Sequence, residues 1–386
     1  MGSLRFCEGW DRSFLKVSSY MAEPSCMIYG LLRYRLVAPL DPKKFENCDK
    51  RTQEVAFRVL IVLATVLAFP LVLGALALGA VSKIFRSIGF FLQKGGYTYV
   101  QGARAEKILD REDPRAKVTT WNICAVAAKM SLDHGGVIDW RKRLDGIVQK
   151  IRDEDADVLV LQEVYDIGCA ELLAQKLLSD YAHFFIHLGP NALGSNGGCF
   201  VATKCAVHHF SHTSFKNNSW VLNRGFADLE IKADPDDTRG CIRVVGTHLI
   251  HGDNNENRKE QIEQIVSYLE EKEDPMPTAL VGDLNMERDA EGEYLNTYVD
   301  HGDFEDFPTC TGRLQIQWDP KDLTVVLDER LDYISLFKTS IGEDRTLPVT
   351  EGELTDCHFI EAFSPLYDTK AALSDHRGLS AIVKKV

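Results

Sequence analysis

Hydrophobic and polar positions divide the chain into two stretches of different period. From Val59 to Ser82 no charge interrupts VLIVLATVLAFPLVLGALALGAVS, 24 residues bounded by Arg58 and Lys83. A helix crosses a bilayer core with roughly 20 apolar residues, and a core helix of that length keeps a polar face, so the run predicts a membrane segment. Pro70 stands within it and either kinks a single span or turns it into a hairpin that enters and leaves on one side. The 58 residues ahead of the run are too many for a secretory signal. Lys43, Lys44, Lys50, Arg51 and Arg58 precede it, against Lys83, Arg86 and Lys94 after it. That bias favours an N-in orientation for a single span and carries no weight for a hairpin. The following IFRSIGFFLQKGGY is apolar and lightly basic, as expected at a membrane interface. Met1 to Lys50 has no clear period.

Beyond about residue 115 the pattern becomes that of an α/β or α+β domain. KVTTWNICAV predicts a strand ending at Asn122. In DWRKRLDGIVQKIRDEDA, Leu144, Ile147, Val148 and Ile151 recur at helical spacing, and the helix leads into a buried strand, DVLVLQEV. CIRVVGTHLIHG is a strand followed by the amphipathic helix NRKEQIEQIVSYLEE. TALVGDLNMERD, ERLDYISLF and ALSDHRGLSAIV supply three more strands. The division expected is a juxtamembrane region over 1–58, a transmembrane or re-entrant segment over 59–82, an interfacial segment and linker over 83–116, and a catalytic domain over 117–386.

Charge separates the same parts. Residues 1–103 hold 13 Lys and Arg against 7 Asp and Glu, a net +6, and the remainder holds 31 against 50, a net −19. A polyphosphate backbone is bound through Lys and Arg with release of counterions, so nucleic acid is disfavoured as a partner. The ten cysteines include no CxxC pair and no Cys/His ligand spacing, which argues against zinc and for buried free thiols. Cys7, Cys26 and Cys48 lie near the membrane run and are candidate acylation sites.

Chemistry-bearing residues sit beside the predicted strands. Glu163 follows VLVLQ; a carboxylate at the end of a core strand is costly to bury unless paired or bound to a cation, whereas read alone it is a solvated strand end. His248 ends a strand, Asp283 and Asn285 end another two residues apart, Asp332 opens a third, and Asp375 and His376 precede the last. Each short motif is common alone. The ordered series WN, LQE, GTHL, GDLN, LDYI and SDH, each beside a strand, is not.

This series resembles the endonuclease/exonuclease/phosphatase superfamily, over roughly Lys117 to Val386, which implies a two-sheet β-sandwich flanked by helices, like pancreatic deoxyribonuclease. Within it the chain is most similar to the neutral sphingomyelinases, through SNGGCFVATKCAV, NRGFADLEI, GTHLIHG with NRKEQIEQI, and FPTCTGRLQIQW ahead of RLDYI. The hydrophobic segment resembles the anchor of their membrane-bound members. Arg224 stands where they usually carry lysine, and the two are not equivalent phosphate ligands. The Trp-Cys-Asp-Arg signature of inositol polyphosphate 5-phosphatases is replaced here by RLDYI, and the basic surface of abasic-site endonucleases is missing.

The resemblance implies a Mg²⁺-dependent phosphodiesterase, with Mn²⁺ as an alternative ion, that cleaves sphingomyelin or a similar phospholipid at a membrane. Glu163, with Asn122 and Asp375, would hold the ion. Asp332 would orient His376 as general base. Asp283 and Asn285 would position the nucleophile or the phosphate. His248 would stabilise the phosphoryl group or protonate the leaving oxygen, and Arg224 would bind substrate with Asn285 and His248. His134, His208, His209, His212 and His251 read as surface or loop histidines. A nuclease or phosphomonoesterase of the same superfamily and a catalytically silent membrane adaptor are the rivals. Nothing in the sequence names a protein partner or the side of the membrane.

Overall fold

The structure is a computed structural model that describes residues 10–32, 48–67, 69–93, 95–126, 139–191, 195–218, 222–252, 254–302, 308–310, 329–342, 345–362 and 372–386. Two sheets face one another. The first runs, in spatial order, β1 (Thr98–Gln101), β4 (His183–Ile186), β5 (Phe200–Thr203), β3 (Val158–Gln162), β2 (Arg115–Asn122), β15 (Gly378–Lys385) and β14 (Gly352–Ile360). The second runs β10 (Val299–Asp300), β11 (Asp332–Phe337), β9 (Thr278–Asp283), β8 (Ile242–His248), β7 (Gly225–Ile231) and β6 (Val207–Ser214). A short pair, β12 (Ser340–Ile341) and β13 (Arg345–Thr346), stands apart.

Alternation along each central strand explains the layers. In β3, Val158 and Val160 point into the space between the sheets, where they meet Val118, Ala227, Val244, Val281 and Ile334. Leu159 and Leu161 point the other way, onto α4 (Trp140–Glu154) and α5 (Ile167–Lys176), whose Leu144, Ile147, Val148, Ile151 and Leu173 cover them. Val245 and Leu280 of the second sheet are covered likewise by Ile262, Ile265, Val266 and Leu269 of α6 (Asn255–Glu270). Helix α7 (Arg288–Leu295) follows β9.

Strand direction gathers the site. β2 and β3 are parallel, as are β8 and β9, so their carboxyl ends share one end of the sandwich. β11 is antiparallel to β9 and β15 to β2, so their first residues arrive at that same end, with Asp332 opposite Asp283. Buried Arg143 on α4 fastens the loops there, donating to the carbonyls of Ile123, Cys124 and Leu373.

The amino-terminal helices cut across the expected segment boundaries. The apolar run over 59–82 is not one element: it is shared between α2 (Cys48–Leu67) and α3 (Phe69–Leu92). Pro70 lies in the first turn of α3, where a missing N–H costs nothing, so it begins a helix instead of kinking one. The one described helix long and apolar enough to cross a membrane is therefore Phe69–Leu92, which takes in the first part of the expected interfacial segment. α2 makes few contacts with α3. Leu60, Leu63, Val66 and Leu67 on α2, and Phe69, Leu71, Leu73 and Leu76 on α3, are exposed.

The patternless start contains α1 (Trp10–Leu32), which packs antiparallel on α3. Gly79 and Gly89 permit this: a Cβ would come within 2.6 Å of Ser25 Oγ or 2.7 Å of Leu15 Cγ. The pair docks on α5 through the buried cluster Leu15, Phe90 and Ile167. Arg12 and Lys16 reach Glu171, which also accepts from His187 Nε2 at 3.3 Å, and Thr98 donates to Asp11. Burial would raise the Glu171 carboxyl, but hydrogen bonds from His187 and Arg12 outweigh it and hold it down at about 2. A depressed folded value gives stability that is present above the ordinary 4.5 and lost as pH falls toward 2. The protection factors of the α1 amides are thus expected to fall over that window, and in Glu171→Gln to be low already at neutral pH; equal protection at pH 7 in that variant would contradict the assignment.

Candidate active site

Asn122, at the end of β2, ties the two sheets together. Its Nδ2 donates to Asp283 Oδ2 at 2.9 Å and lies 3.5 Å from His376 Nε2, while its Oδ1 accepts from the Cys124 amide at 3.0 Å. Asp283 ends β9, and its other oxygen accepts from the Asn285 amide at 2.9 Å. Burial and the like charge of Asp332 push the Asp283 carboxyl up to about 7.

His376 precedes β15 and is held from several sides. Its Nδ1 donates to Asp332 Oδ2 at 2.8 Å, Trp121 Nε1 donates to its carbonyl at 2.9 Å, and its amide donates to Ser374 Oγ at 3.2 Å. Thr309 Oγ1 accepts from the amides of Leu331 and Asp332, which fixes the carboxylate in turn. Burial works against protonation of His376, while Cys310 and Asp332 work for it and raise its pKa well above the ordinary value. Burial keeps the Cys310 thiol neutral up to about 12, so Asp332 is the charge that acts. Nε2 faces Cys310 Sγ at 3.2 Å. With the carboxylates of the site uncompensated the imidazole holds its proton, with Nδ1 on Asp332 and Nε2 toward Cys310 and Asn122. Positive charge brought to the site would lower that affinity and free Nε2 as a base.

Glu163 leaves β3 with φ +60° and Asn285 leaves β9 with φ +49°, left-handed conformations that a non-glycine residue adopts at a cost of ~1 kcal/mol or more and that cluster at functional sites. Glu163 is partly exposed; burial and the negative charge of Asp375 raise its pKa. Asp375 itself is half-buried and accepts from Ser374 Oγ at 3.2 Å.

These groups suit a hard divalent cation. Glu163, Asp283, Asp332 and Asp375 put an excess of carboxylate oxygen at one place, and buried Asp332 Oδ1 has no hydrogen-bond partner among the described residues. Asp283, Asp332 and His376 form a group whose ligand atoms all lie within 4.8 Å of one another. Asp332 and His376 are already hydrogen-bonded to each other, so a cation between them would compete with proton transfer. Glu163 and Asp375, near Asn122, carry no such commitment.

On the other flank His248 ends β8, with Nε2 3.5 Å from Asp283 Oδ2. Burial and Arg224 lower its pKa well below the ordinary value, so the ring is neutral. Arg224, just ahead of β7, is buried; it donates to the Leu249 carbonyl, which Asn285 Nδ2 also reaches at 3.0 Å.

Every residue expected from the sequence as a site member is therefore at this end of the sandwich. Tyr165, Thr309 and Cys310 join them unforeseen; Tyr165 lies two residues after Glu163, and Cys310 lies in the FPTCTGR stretch, whose later part falls outside the described residues. Of the histidines read as surface or loop, His208, His209 and His251 are exposed, although the first two lie in β6 rather than in a loop, and His134 falls outside the described residues. His212 is a correction: it lies in β6, partly buried, and burial lowers its pKa to about 4.

A family model described as Endonuclease/Exonuclease/phosphatase family matches residues 119–376. No curated protein matches the chain. Among solved structures, sphingomyelinase C from Streptomyces griseocarneus is similar at 20% identity and TM-score 0.51, over 71% of this chain and 100% of that one. Beta toxin from Staphylococcus aureus is similar at 18% and 0.51, over 69% and 99%. D. rerio TDP2 complexed with a single-strand DNA product is similar at 17% and 0.51, over 70% and 98%. At these identities the likeness is one of fold.

Proposed function

Since the chain belongs to the endonuclease/exonuclease/phosphatase family, we propose that it is a Mg²⁺-dependent phosphodiesterase acting on a membrane phospholipid, sphingomyelin being cleaved to ceramide and phosphocholine. Hydrolysis at phosphorus needs an activated water, charge neutralisation and a proton for the departing oxygen. His376, held by Asp332 at 2.8 Å, takes the proton of the attacking water on Nε2. Asn122, Asn285 and Arg224 orient the phosphate through N–H donors. His248, neutral in its buried setting, donates a hydrogen bond to the phosphoryl group or the departing oxygen. Glu163, Asn122 and Asp375 are the residues that would hold Mg²⁺, which when bound polarises the phosphoryl oxygens and offsets their negative charge.

The observation that carries the lipid reading is the attachment of the apolar helices. Leu15 of α1 and Phe90 of α3 pack on Ile167, four residues after Glu163, which supports the reading that a membrane receiving the exposed apolar side chains of α3 lies near the site. The net −19 of residues 104–386 argues in the same direction, against a polyanionic substrate.

A panel tests the reading: purified full chain with Mg²⁺ on sphingomyelin vesicles, phosphatidylcholine vesicles, single-stranded and duplex DNA, and inositol polyphosphates. Hydrolysis of sphingomyelin above all others is expected. Activity on DNA or inositol phosphates with none on lipid would overturn it, and inactivity on all would favour a silent adaptor.

A further inference from the structure

We propose that Tyr165 is a positioning residue whose hydroxyl fixes the tautomer of His248 and thereby aims an N–H at the phosphoryl group; the kinetic consequence rests on the hydrolytic reading above. Tyr165 is buried on the connection between β3 and α5, two residues after Glu163. Its Oη lies 3.3 Å from Arg224 Nη2 and 3.4 Å from His248 Nδ1.

Donor and acceptor capacities decide the direction of each bond. A guanidinium can only donate, so Oη accepts from Arg224, and the single phenolic proton is left for His248. Donation of that proton to Nδ1 leaves the hydrogen of the neutral imidazole on Nε2. Nε2 is 3.5 Å from Asp283 Oδ2, the same oxygen that accepts from Asn122 Nδ2 at 2.9 Å. Two N–H groups on opposite sheets therefore converge on one point. The opposite tautomer would turn a lone pair toward the Asp283 carboxylate and a hydrogen toward a hydroxyl already accepting from Arg224.

Tyr165 is held for this task. Its ring packs where a Cβ at Gly198 would collide with it, and Gly198 has φ +76°, which suits glycine. The neighbouring Val164 amide donates to the Gly198 carbonyl at 2.8 Å. Arg224, the other partner, also donates to the Leu249 carbonyl that Asn285 reaches, so the phenol joins the two flanks of the site.

Tyr165→Phe keeps the ring and removes only the hydroxyl. In full chain labelled with ¹⁵N-histidine and kept in EDTA at about pH 8.5, where the Asp283 carboxyl has lost its proton, the His248 signals, assigned by their loss in His248→Gln, are expected to show protonated Nε2 and bare Nδ1. In Tyr165→Phe they are expected to move toward a mixture of tautomers. With Mg²⁺ and substrate, kcat is expected to fall about 10–100-fold, with KM within about two-fold. In a His248→Ala background the same change is expected to cost less than about two-fold. Protonated Nδ1 in the wild type, or an unchanged tautomer with unchanged kcat in Tyr165→Phe, would overturn the proposal. The spectrum needs no substrate. The expected spectrum from a protein that hydrolyses no phosphodiester would therefore uphold the tautomer and overturn the hydrolytic reading instead.

Discussion

Replacing His376 with alanine is expected to lower kcat by about 10²–10⁴-fold while leaving the protein folded, the range in which a positioned general base contributes. The size follows from the orientation that Asp332 gives the imidazole, which the other groups of the site lack. The Cys310 thiol stays protonated up to about 12, and His248 is neutral with Nε2 turned to Asp283. Asp332 has one oxygen on His376 at 2.8 Å, so it orients the base and does not replace it. Asp332→Asn would offer an amide N–H to Nδ1 and favour the wrong tautomer, so a loss approaching that of His376→Ala is expected. Because the two act as a unit, the double variant should lose little more than either alone. Additive losses would separate them. Melting curves distinguish a lost base from a lost fold.

The second large effect concerns Asp283 and has opposite signs for activity and stability. Burial and Asp332 push the Asp283 carboxyl up to about 7 from an ordinary 3.8, so in the absence of a cation the native site binds a proton that the unfolded chain has released. A raised folded value gives stability that is present below 3.8 and lost as pH rises through 7, amounting to roughly 4 kcal/mol at most. In EDTA, unfolding free energy is therefore expected to fall between pH 5 and 8, and Asp283→Asn to flatten that slope. Mg²⁺ at saturating concentration should restore stability at pH 8 in the wild type, since an ion that binds only the folded chain favours it. The same variant is expected to lose about 10²–10³-fold in kcat, because the carboxylate that collects Asn122, Asn285 and His248 is gone. Urea unfolding at several pH values reads the slope. A wild-type slope that rises with pH in EDTA would contradict the account.

How much of this was legible depended on whether a contact is local or distant. VLVLQE announces a buried strand and a terminal acid within one segment, and the same holds for TALVGD and IRVVGTH, so the strand ends and their polar residues could be read directly. The helix after Asp139 was equally plain, but not that its Arg143, four residues before Ile147 at the edge of the apolar face, is buried where three loop carbonyls converge. Cys310 stands 66 residues from His376 in sequence, and nothing local marks it. Tyr165 adjoins Glu163, but its role arises from β7 and β8. α1 escaped because it carries Pro24 and because its partner, α3, is apolar along most of its length and shows no marked stripe. The apolar run was legible as a membrane candidate and misleading as to its ends, since composition counts residues and Pro70 decides where a helix starts.

In the function proposed above, the carboxylate and histidine cluster at the strand ends hydrolyses a phospholipid with a divalent ion. Release of phosphocholine from sphingomyelin vesicles by the full-length chain, measured with Mg²⁺, with EDTA and with His376→Ala, tests it most directly. Release with Mg²⁺ is expected, abolished reversibly by EDTA and missing in the variant. Release that persists in EDTA, or in His376→Ala at the wild-type rate, would contradict it.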